Sequence, residues 1–363
     1  MLEKSLELLK IFKDNGYEAY LVGGFVRDYV LGRQSSDVDI CTNATPMQVK
    51  QIFKDVKLPF EQYGAVSLVY KKVIFEITTY RIDLEYKNGR NPSKISYTSN
   101  LLEDLKRRDF TINTLCMDEN GNVIDNLGII NDIKTRVIKS VGNANLKLKE
   151  DSLRILRAIR FATQLEFDLD DELKDAIALN KGLLEGLSYY RKKEELNKIF
   201  ASSNADYGIR IIREFGLDKY LGITISDSIV NTSDPIGIWV QVNPDSKYQF
   251  TNNEKEYMMA ILRILSDKKI NDMELYKEGN YVCYIASEIL NMNTKDLHER
   301  YDALPIKAKT DIVLKPAEII ELLKLDNKSY VKNIIRDLEE KIINREVNNV
   351  KKDITDYLIK KYL

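Results

Sequence analysis

The chain has 363 residues, of which 44% are hydrophobic and 31% charged, and its formal net charge is −1. Its length predicts two to four modules, and its composition excludes disordered, fibrous and membrane-spanning proteins. The single histidine argues against histidine metal sites and Ser-His-Asp triads. The three cysteines lie far apart, so we expect packed thiols rather than disulfides or a thiolate metal site.

The first third of the chain predicts a mixed α/β unit. A helix at residues 1–12 lacks the apolar run of a secretory signal, so we expect a cytoplasmic protein. Segments rich in β-branched and aromatic residues predict strands at 19–22, 38–41, 65–70 and 73–81. Asn120-Gly121 predicts a hairpin turn before a further strand at 123–125.

From about residue 145 the hydrophobic pattern becomes helical. Helices are predicted at 150–164, 171–180, 191–200, 206–214, 254–266, 330–343 and 353–362. Residues 223–253 are rich in Ser, Thr, Asn, Asp and Pro and predict a loop-rich boundary. His298 is expected on the surface of a helix.

Two short patterns in the first third indicate phosphate and metal chemistry. Gly23 and Gly24, between a strand and a helix that carries Arg27, fit a backbone that approaches phosphate, although a plain turn fits as well. Asp37 and Asp39 alternate with apolar residues, so on a strand both carboxylates share one face, where they attract Mg²⁺. Glu76, in an apolar strand, is a candidate third carboxylate.

Bland alternatives are a solvated strand for the aspartates and an edge-strand glutamate facing water. Residues 133–160 hold eight basic side chains against two acidic ones, a surplus that fits polyphosphate or RNA. The basic residues are Lys134, Arg136, Lys139, Lys147, Lys149, Arg154, Arg157 and Arg160.

Longer motifs resemble a known family in order and spacing. They are Gly23-Gly-Phe-Val-Arg-Asp28, Leu31-Gly-Arg33, Asp37-Val-Asp39, Arg107-Arg-Asp-Phe-Thr-Ile-Asn113 and Glu150-Asp-Ser-Leu-Arg-Ile-Leu-Arg-Ala-Ile-Arg-Phe161. Together they resemble the bacterial class II tRNA nucleotidyltransferases, the CCA-adding enzymes, whose relatives include poly(A) polymerases and CC-adding and A-adding enzymes. The close match covers residues 18–167, and a weaker one returns at 304–309 and in the terminal helices.

The resemblance implies an elongated, multidomain protein with a polymerase-β-like α/β head and an all-α neck, body and tail. We expect a catalytic head at 1–138, a neck with the nucleotide template at 139–200, a body at 201–300 and a tRNA-binding tail at 301–363. The implied partners are CTP, ATP and the acceptor arm and elbow of tRNA. The implied cofactor is Mg²⁺, and both a monomer and a homodimer remain open.

The resemblance also implies residue roles. Gly23, Gly24, Arg27 and Arg108 would contact the nucleotide, Asp37 and Asp39 would bind magnesium, and Asp151, Arg154, Arg157 and Arg160 would form the nucleotide template. The sequence departs from the family at Tyr190, which replaces a glutamate, and at Thr114 and Cys41, which are small packing changes.

Asp151 and Arg154 are expected to select the base. On a helical wheel Asp151 lies about 60° beyond Arg154. The carboxylate only accepts and the guanidinium only donates, which complements the amine and ring nitrogen shared by cytosine and adenine. Uracil and guanine reverse this pattern of donor and acceptor. Each mispaired buried group costs about 1–3 kcal/mol of binding free energy. The alternative is an exposed basic helix with an ordinary Asp–Arg pair.

Related activities remain as alternatives, namely CC addition, A addition and poly(A) synthesis. In the resembling enzymes a flexible loop before the Arg-Arg-Asp motif assists the switch from C to A, and residues 80–96, with Asp83, Tyr86, Arg90 and Pro92, match its full length. The mixed-charge final helix lacks the basic extension of many poly(A) polymerases. A further alternative is a catalytically inactive RNA-binding protein with the same head. Such a protein is expected to lack one of the metal-binding carboxylates, whereas Asp37 and Asp39 are both present.

Overall fold

A computed structural model of the chain describes residues 1–35, 37–54, 56–60, 63–86, 92–293, 295–325 and 330–363. This part of the chain forms two compact units, Met1–Ile223 and Thr224–Leu363. Across these residues, every helix is too short or too polar to pass through a lipid bilayer.

The first unit contains a mixed β-sheet. Its strands are β1 (Ala19–Val22), β2 (Val38–Thr42), β3 (Val56–Phe60), β4 (Ala65–Tyr70), β5 (Val73–Thr79), β6 (Arg81–Tyr86), β7 (Pro92–Tyr97), β8 (Cys116–Met117), β9 (Val123–Ile124), β10 (Val137–Ile138) and β11 (Asp168–Leu169). In the described residues a seven-stranded sheet has the order β3-β4-β5-β2-β1-β8-β9. Only β2 and β5 pair in parallel there, and the other neighbours are antiparallel. The predicted mixed sheet and its hairpin at Asn120-Gly121 are confirmed.

Helices lie before, between and after these strands in the chain. In the first unit they are α1 (Leu2–Asp14), α2 (Gly24–Val30), α3 (Pro46–Ile52), α4 (Leu101–Lys106), α5 (Ile130–Lys134), α6 (Ala144–Glu150), α7 (Leu153–Leu165), α8 (Asp171–Asn180), α9 (Tyr189–Phe200), α10 (Ala205–Glu214) and α11 (Asp218–Leu221). Helix α1 buries Leu8, Leu9 and Phe12, since apolar residues recur every three or four positions. The strand β1 is buried at Ala19, Leu21 and Val22, so it crosses the interior of the unit.

The second unit is helical. Its helices are α12 (Pro235–Gln241), α13 (Asn252–Asp267), α14 (Asp272–Ile289), α15 (Leu297–Asp302), α16 (Pro316–Leu323), α17 (Tyr330–Ile343) and α18 (Lys351–Tyr362). They share one apolar core that includes Ile261, Val282, Leu338 and Leu358. The predicted α/β head followed by helices is therefore confirmed, while the division at 138, 200 and 300 stays a prediction.

The structure refines three expectations about local structure. Residues 81–86 and 92–97 pair as the antiparallel strands β6 and β7, within the stretch whose resemblance implied a flexible loop, and Arg90 lies outside the described residues. The predicted helix 150–164 is interrupted, because α6 ends at Glu150 and α7 begins at Leu153. The loop-rich stretch 223–253 contains α12, whose start is capped by Asp234 and has proline in its first turn.

Two expectations about single residue types are confirmed. All three cysteines are free and buried, and Cys41 and Cys116 pack in one apolar cluster with Tyr80. His298 lies on α15 with 72% of its side chain exposed.

Candidate active site

The two predicted metal-binding aspartates lie at the start of β2. Asp39 is the second residue of that strand, partly buried, and faces Val22 of β1 and Glu76 of β5 in the strand register. Asp37 precedes the strand and is exposed. The alternation of polar and apolar residues that predicted this strand is confirmed, because Val38 and Ile40 are buried.

Glu76 differs from expectation in its surroundings. Its side chain is exposed, although the sequence suggested an apolar environment, and β5 is an interior strand rather than an edge. The parallel register still places Glu76 directly beside Asp39. Because in-register residues of neighbouring strands point to the same face, both carboxylates lie on one side of the sheet.

Electrostatics around Asp39 bring these groups together. Burial raises the pKa of Asp39, and the negative charges of Glu76 and Asp37 raise it further, whereas Arg108 and Arg157 lower it. The carboxylates therefore repel one another across a partly buried space. Carboxylate oxygens are hard donors, and Mg²⁺ takes one or two of them together with substrate phosphates. The donor set thus fits a divalent metal bound jointly with a triphosphate.

Within the described residues, no group of three or more His, Cys, Asp and Glu side chains is arranged to hold a metal ion by itself. Of the predicted carboxylates, both Asp37 and Glu76 lie close enough to Asp39 for their charges to raise its pKa.

The glycine pair brings the backbone against these charges. Gly23 directly follows β1 with a φ of 76° and a ψ of −137°, a conformation that glycine adopts readily and residues with a Cβ atom rarely do. A Cβ atom there would lie 3.4 Å from Oδ2 of Asp39 and 3.7 Å from Nη1 of Arg108. The backbone of Gly23, the Asp39 carboxylate and the Arg108 guanidinium therefore meet at one point. A Cβ atom on Gly24 would lie 3.6 Å from Nη2 of Arg27.

A buried carboxylate holds Arg108 in place. Asp104 of α4 is fully buried and accepts hydrogen bonds from Arg107 Nε at 2.8 Å and from Arg108 Nη2 at 3.3 Å. Burial lowers the pKa of Arg108, but Asp104, Cys41, Cys116 and Asp39 together raise it above its usual value. Sequence reasoning assigned no role to Asp104, although its spacing of three and four residues from the two arginines is a helical signal.

A second network joins the first third of the chain to α7. Arg27 Nη1 donates to Asn113 Oδ1 at 2.8 Å, and Asn113 Nδ2 donates to Asp109 Oδ1 at 3.1 Å. Asp109 in turn accepts from Arg157 Nε at 2.7 Å. Burial would raise the pKa of Asp109, but Arg157 and hydrogen bonds from Asn113 and Phe110 N–H lower it to about 2. The predicted nucleotide residues Arg27 and Arg157 are thus linked through ionised Asp109.

The proposed template residues do not share one helix. Asp151 is extended, with a φ of −145°, because the chain leaves α6 before α7 begins. Its Oδ1 accepts from the Leu153 N–H at 3.0 Å, and its Oδ2 accepts from Arg191 Nη2 at 3.4 Å. The helical-wheel position of Asp151 is therefore wrong, and its orientation comes from the turn and from α9.

The arginines of α7 are paired rather than freely solvated. Arg154 Nη1 donates to Glu150 Oε2 at 2.6 Å and to the Lys147 carbonyl at 2.8 Å. Arg160 is buried and contacts Glu195 at 3.0 Å. The alternative hypothesis of an exposed basic helix is therefore wrong, because acidic residues from other elements neutralise these arginines.

The departure at Tyr190 lies on the surface. Tyr190 is 71% exposed and donates to Glu194, while Ser188 caps the start of α9 by accepting from the Arg191 N–H. The neighbouring Arg191 donates a hydrogen bond to Asp151, the carboxylate predicted to belong to the template.

The mixed sheet with strand-borne carboxylates beside a glycine turn and clustered arginines defines a nucleotidyltransferase. Comparisons with known proteins narrow the class. The poly(A) polymerase head domain matches residues 19–139, the probable RNA- and SrmB-binding site of polymerase A matches 166–222, and a putative domain 2 of tRNA nucleotidyltransferases matches 246–358.

Full-length relatives agree with these domain matches. The CCA-adding enzyme of Bacillus licheniformis is 32% identical, with 98% of this chain and 97% of that protein aligned. The CCA-adding enzyme of Lactobacillus johnsonii is 34% identical over 85% of each chain. The crystal structure of the Bacillus stearothermophilus CCA-adding enzyme in complex with CTP superposes with a TM-score of 0.89 and 28% identity, covering 99% of this chain and 97% of that one. The chain belongs to the CCA-adding enzymes, a family of tRNA nucleotidyltransferases.

Proposed function

We propose that this protein adds C, C and A in turn to the 3′ end of tRNA, using CTP and ATP and releasing pyrophosphate. The observation that carries the proposal is the convergence of the Gly23 backbone, the Asp39 carboxylate and the Arg108 guanidinium. It brings a carboxylate that would bind metal and a cation that would bind phosphate to one point of the backbone. The full-length similarity to CCA-adding enzymes supports the choice of tRNA, CTP and ATP.

Asp37 and Asp39 are the residues that would hold Mg²⁺, with Glu76 beside them as a further carboxylate. When bound, a pair of Mg²⁺ ions supplies activation of the tRNA 3′-hydroxyl and neutralisation of the triphosphate for in-line displacement. Asp39 holds its carboxylate against the Gly23 turn, and partial burial limits competition from water.

The arginines bind and orient the nucleotide. Arg108, held by Asp104 and close to Asp39, would face the phosphates, and the turn at Gly23 and Gly24 lets the backbone approach them. Arg27, fixed by Asp28 and Asn113, would contact the same nucleotide from α2. Guanidinium groups suit this role because they stay charged and match phosphate oxygens with paired N–H donors.

Asp151 and Arg154 would select the base, with Arg157 and Arg160 completing the template. The carboxylate of Asp151 keeps acceptor capacity beyond its contacts with Leu153 and Arg191, because a carboxylate has about four lone-pair sites. The hydrogen bond from Nη1 of Arg154 to Glu150 orients the plane of the guanidinium group. An acceptor beside a donor complements cytosine and adenine, whereas uracil and guanine reverse the pattern.

We assign catalysis to residues 1–138, base selection to 139–200, and the grip on the tRNA acceptor arm and elbow to 201–300 and 301–363. The assignment follows the elements: the sheet that carries Asp39 lies in the first segment, and α7 lies in the second.

A product-length assay tests the proposal. Purified protein is incubated with tRNA lacking its last three, two or one nucleotides, together with CTP, ATP or both, and the products are sized. When CTP and ATP are both present, the proposal expects each substrate to be completed to CCA and extension to stop there. Arrest at CC, action only on CC-ended tRNA, or a long A tail would contradict it in favour of CC-adding, A-adding or poly(A)-synthesising activity.

A further inference from the structure

The buried side chain of Phe161 has three arginines around it. The guanidinium carbons of Arg160, Arg27 and Arg157 lie 4.4, 5.3 and 5.4 Å from the centre of its ring. Two of these arginines lie on α7, and Arg27 lies on α2. A cation within about 6 Å of an aromatic ring centre is attracted to the negative face of the ring. Phe161 is therefore a common contact for nucleotide-site arginines from two parts of the unit.

Each of the three arginines also has its own carboxylate. Arg27 pairs with Asp28 at 2.9 Å, Arg157 with Asp109 at 2.5 Å and Arg160 with Glu195 at 3.0 Å. These ion pairs neutralise the cations, but the three guanidinium groups still surround one residue. An apolar side chain without a ring would fill the same space without attracting them.

The ring itself is held in a fixed orientation. Phe110 packs edge-on against Phe161, with ring centres 5.8 Å apart and an angle of 79° between the planes. Aromatic pairs favour this T-shaped arrangement, and Phe161 is only 7% exposed. Phe110 follows Asp109, which binds Arg157, so the residues that fix the ring are joined to those that fix the arginine.

We propose that Phe161 is a positioning residue that orients Arg27, Arg157 and Arg160 for nucleotide binding through the face of its ring. The proposal rests on the function proposed above, in which these arginines bind the nucleotide. The contacts close a loop: Phe161 touches Arg27, which reaches Arg157 through Asn113 and Asp109, and Arg157 returns to Phe161. Removing the ring eliminates the contacts of Phe161 with Arg27 and Arg157 and leaves only the hydrogen bonds between them.

The test compares substitutions that keep or remove the ring. Phe161→Leu keeps an apolar side chain and removes the ring face, Phe161→Tyr keeps the ring, and Phe161→Met provides a second ring-free variant in case Leu does not fold. Phe167→Leu is the matched control, because Phe167 is 2% exposed, lies just beyond α7 and is not among the residues proposed to bind the nucleotide. Folding of each full-length variant is checked by circular dichroism and thermal unfolding.

The readout is equilibrium binding of CTP in the presence of Mg²⁺, measured by calorimetry. We expect Phe161→Leu or Phe161→Met to weaken CTP binding about tenfold, the size expected when about one cation–π contact is lost. Phe161→Tyr should stay within about threefold of the wild type. Phe167→Leu should lower thermal stability while leaving the dissociation constant unchanged.

Two results would overturn the proposal. One is wild-type CTP affinity in both ring-free variants, and the other is an equal loss in Phe167→Leu, which would show that general destabilisation explains the effect. The binding readout is independent of tRNA extension. A wild-type protein that binds CTP but does not complete tRNA would reject the proposed function while leaving the role of Phe161 open to the same comparison.

Discussion

Replacing Asp109 by asparagine removes the charge that links the Arg27 side of the site to α7. Asp109 accepts hydrogen bonds from Arg157 and Asn113, and its side chain is 10% exposed. Burial raises its pKa, but Arg157 and the hydrogen bonds lower it from 3.8 to about 2. At about 1.4 kcal/mol per pKa unit, this shift corresponds to about 2 kcal/mol of folding free energy near neutral pH.

The pH dependence of this contribution has a defined sign. The pKa of Asp109 is lower in the folded chain, so its stabilisation is fully present above the unfolded pKa near 3.8 and is lost as pH falls toward about 2. We expect Asp109→Asn to lower the free energy of unfolding by about 2 kcal/mol at pH 7 and by about 1 kcal/mol at pH 3. The difference narrows because at pH 3 the carboxyl is mostly protonated in the unfolded chain but still mostly ionised in the folded one, so folding must release a proton.

Urea unfolding at the two pH values measures this difference. Circular dichroism is the suitable probe, because the single tryptophan, Trp239, belongs to the other unit and does not report on α7. The two units require separate transitions in the fit. Asp171→Asn is the control, since the side chain of Asp171 is 97% exposed and its removal should leave the unfolding free energy essentially unchanged. An Asp109→Asn effect of the same size at both pH values would refute the reasoning.

Three further substitutions probe other parts of the site. Gly23→Ala places a Cβ atom against the neighbouring carboxylate at a φ of 76° and should cost about 1–3 kcal/mol in stability and about tenfold in kcat/KM. Gly16→Ala, with a φ of 83° and open space around it, should leave kcat/KM unchanged; equal activity losses would contradict the account. Asp104→Asn removes the charge beside two arginines and should destabilise the protein by about 3 kcal/mol in urea unfolding, so a change below about 1 kcal/mol would contradict it. Asp151→Ala should retain tRNA binding but lose preference for CTP and ATP over UTP and GTP in single-nucleotide addition, and unchanged preference would reject the template.

The sequence was most informative where local pattern and chemistry coincide. The alternation around Asp37 and Asp39 predicted the strand and its polar face, and Gly23 predicted a close approach of the backbone. Family motifs extended the prediction to Arg27 and Arg108, which the structure places near the same turn. These features depend on residues close together in the chain, so a single sequence contains them.

The break between α6 and α7 had a local sequence signal that the hydrophobic pattern obscured. Asp151-Ser152 before the apolar run of α7 is a typical helix start, yet the regular spacing of charged and apolar residues suggested continuity from Glu150.

The partners of the arginines could not be predicted from sequence. Arg27 and Asn113 are 86 positions apart, Arg157 and Asp109 are 48 apart, and Arg160 and Glu195 are 35 apart. Such pairs form only when α2, α7 and α9 pack together with the chain around residues 109–113. The same holds for Phe161, which looked like one more apolar residue of a helix until its surroundings were known.

The central claim is that Asp39 belongs to the centre that transfers nucleotides to tRNA, and its removal is the most direct test. Single-turnover addition of CMP to tRNA lacking CCA is measured for the wild type and for Asp39→Asn at saturating Mg²⁺, with Asp171→Asn as the matched control. The account predicts that the rate with Asp39→Asn falls by about a thousandfold, while the control retains the wild-type rate. A rate for Asp39→Asn within about tenfold of the wild type would contradict the account.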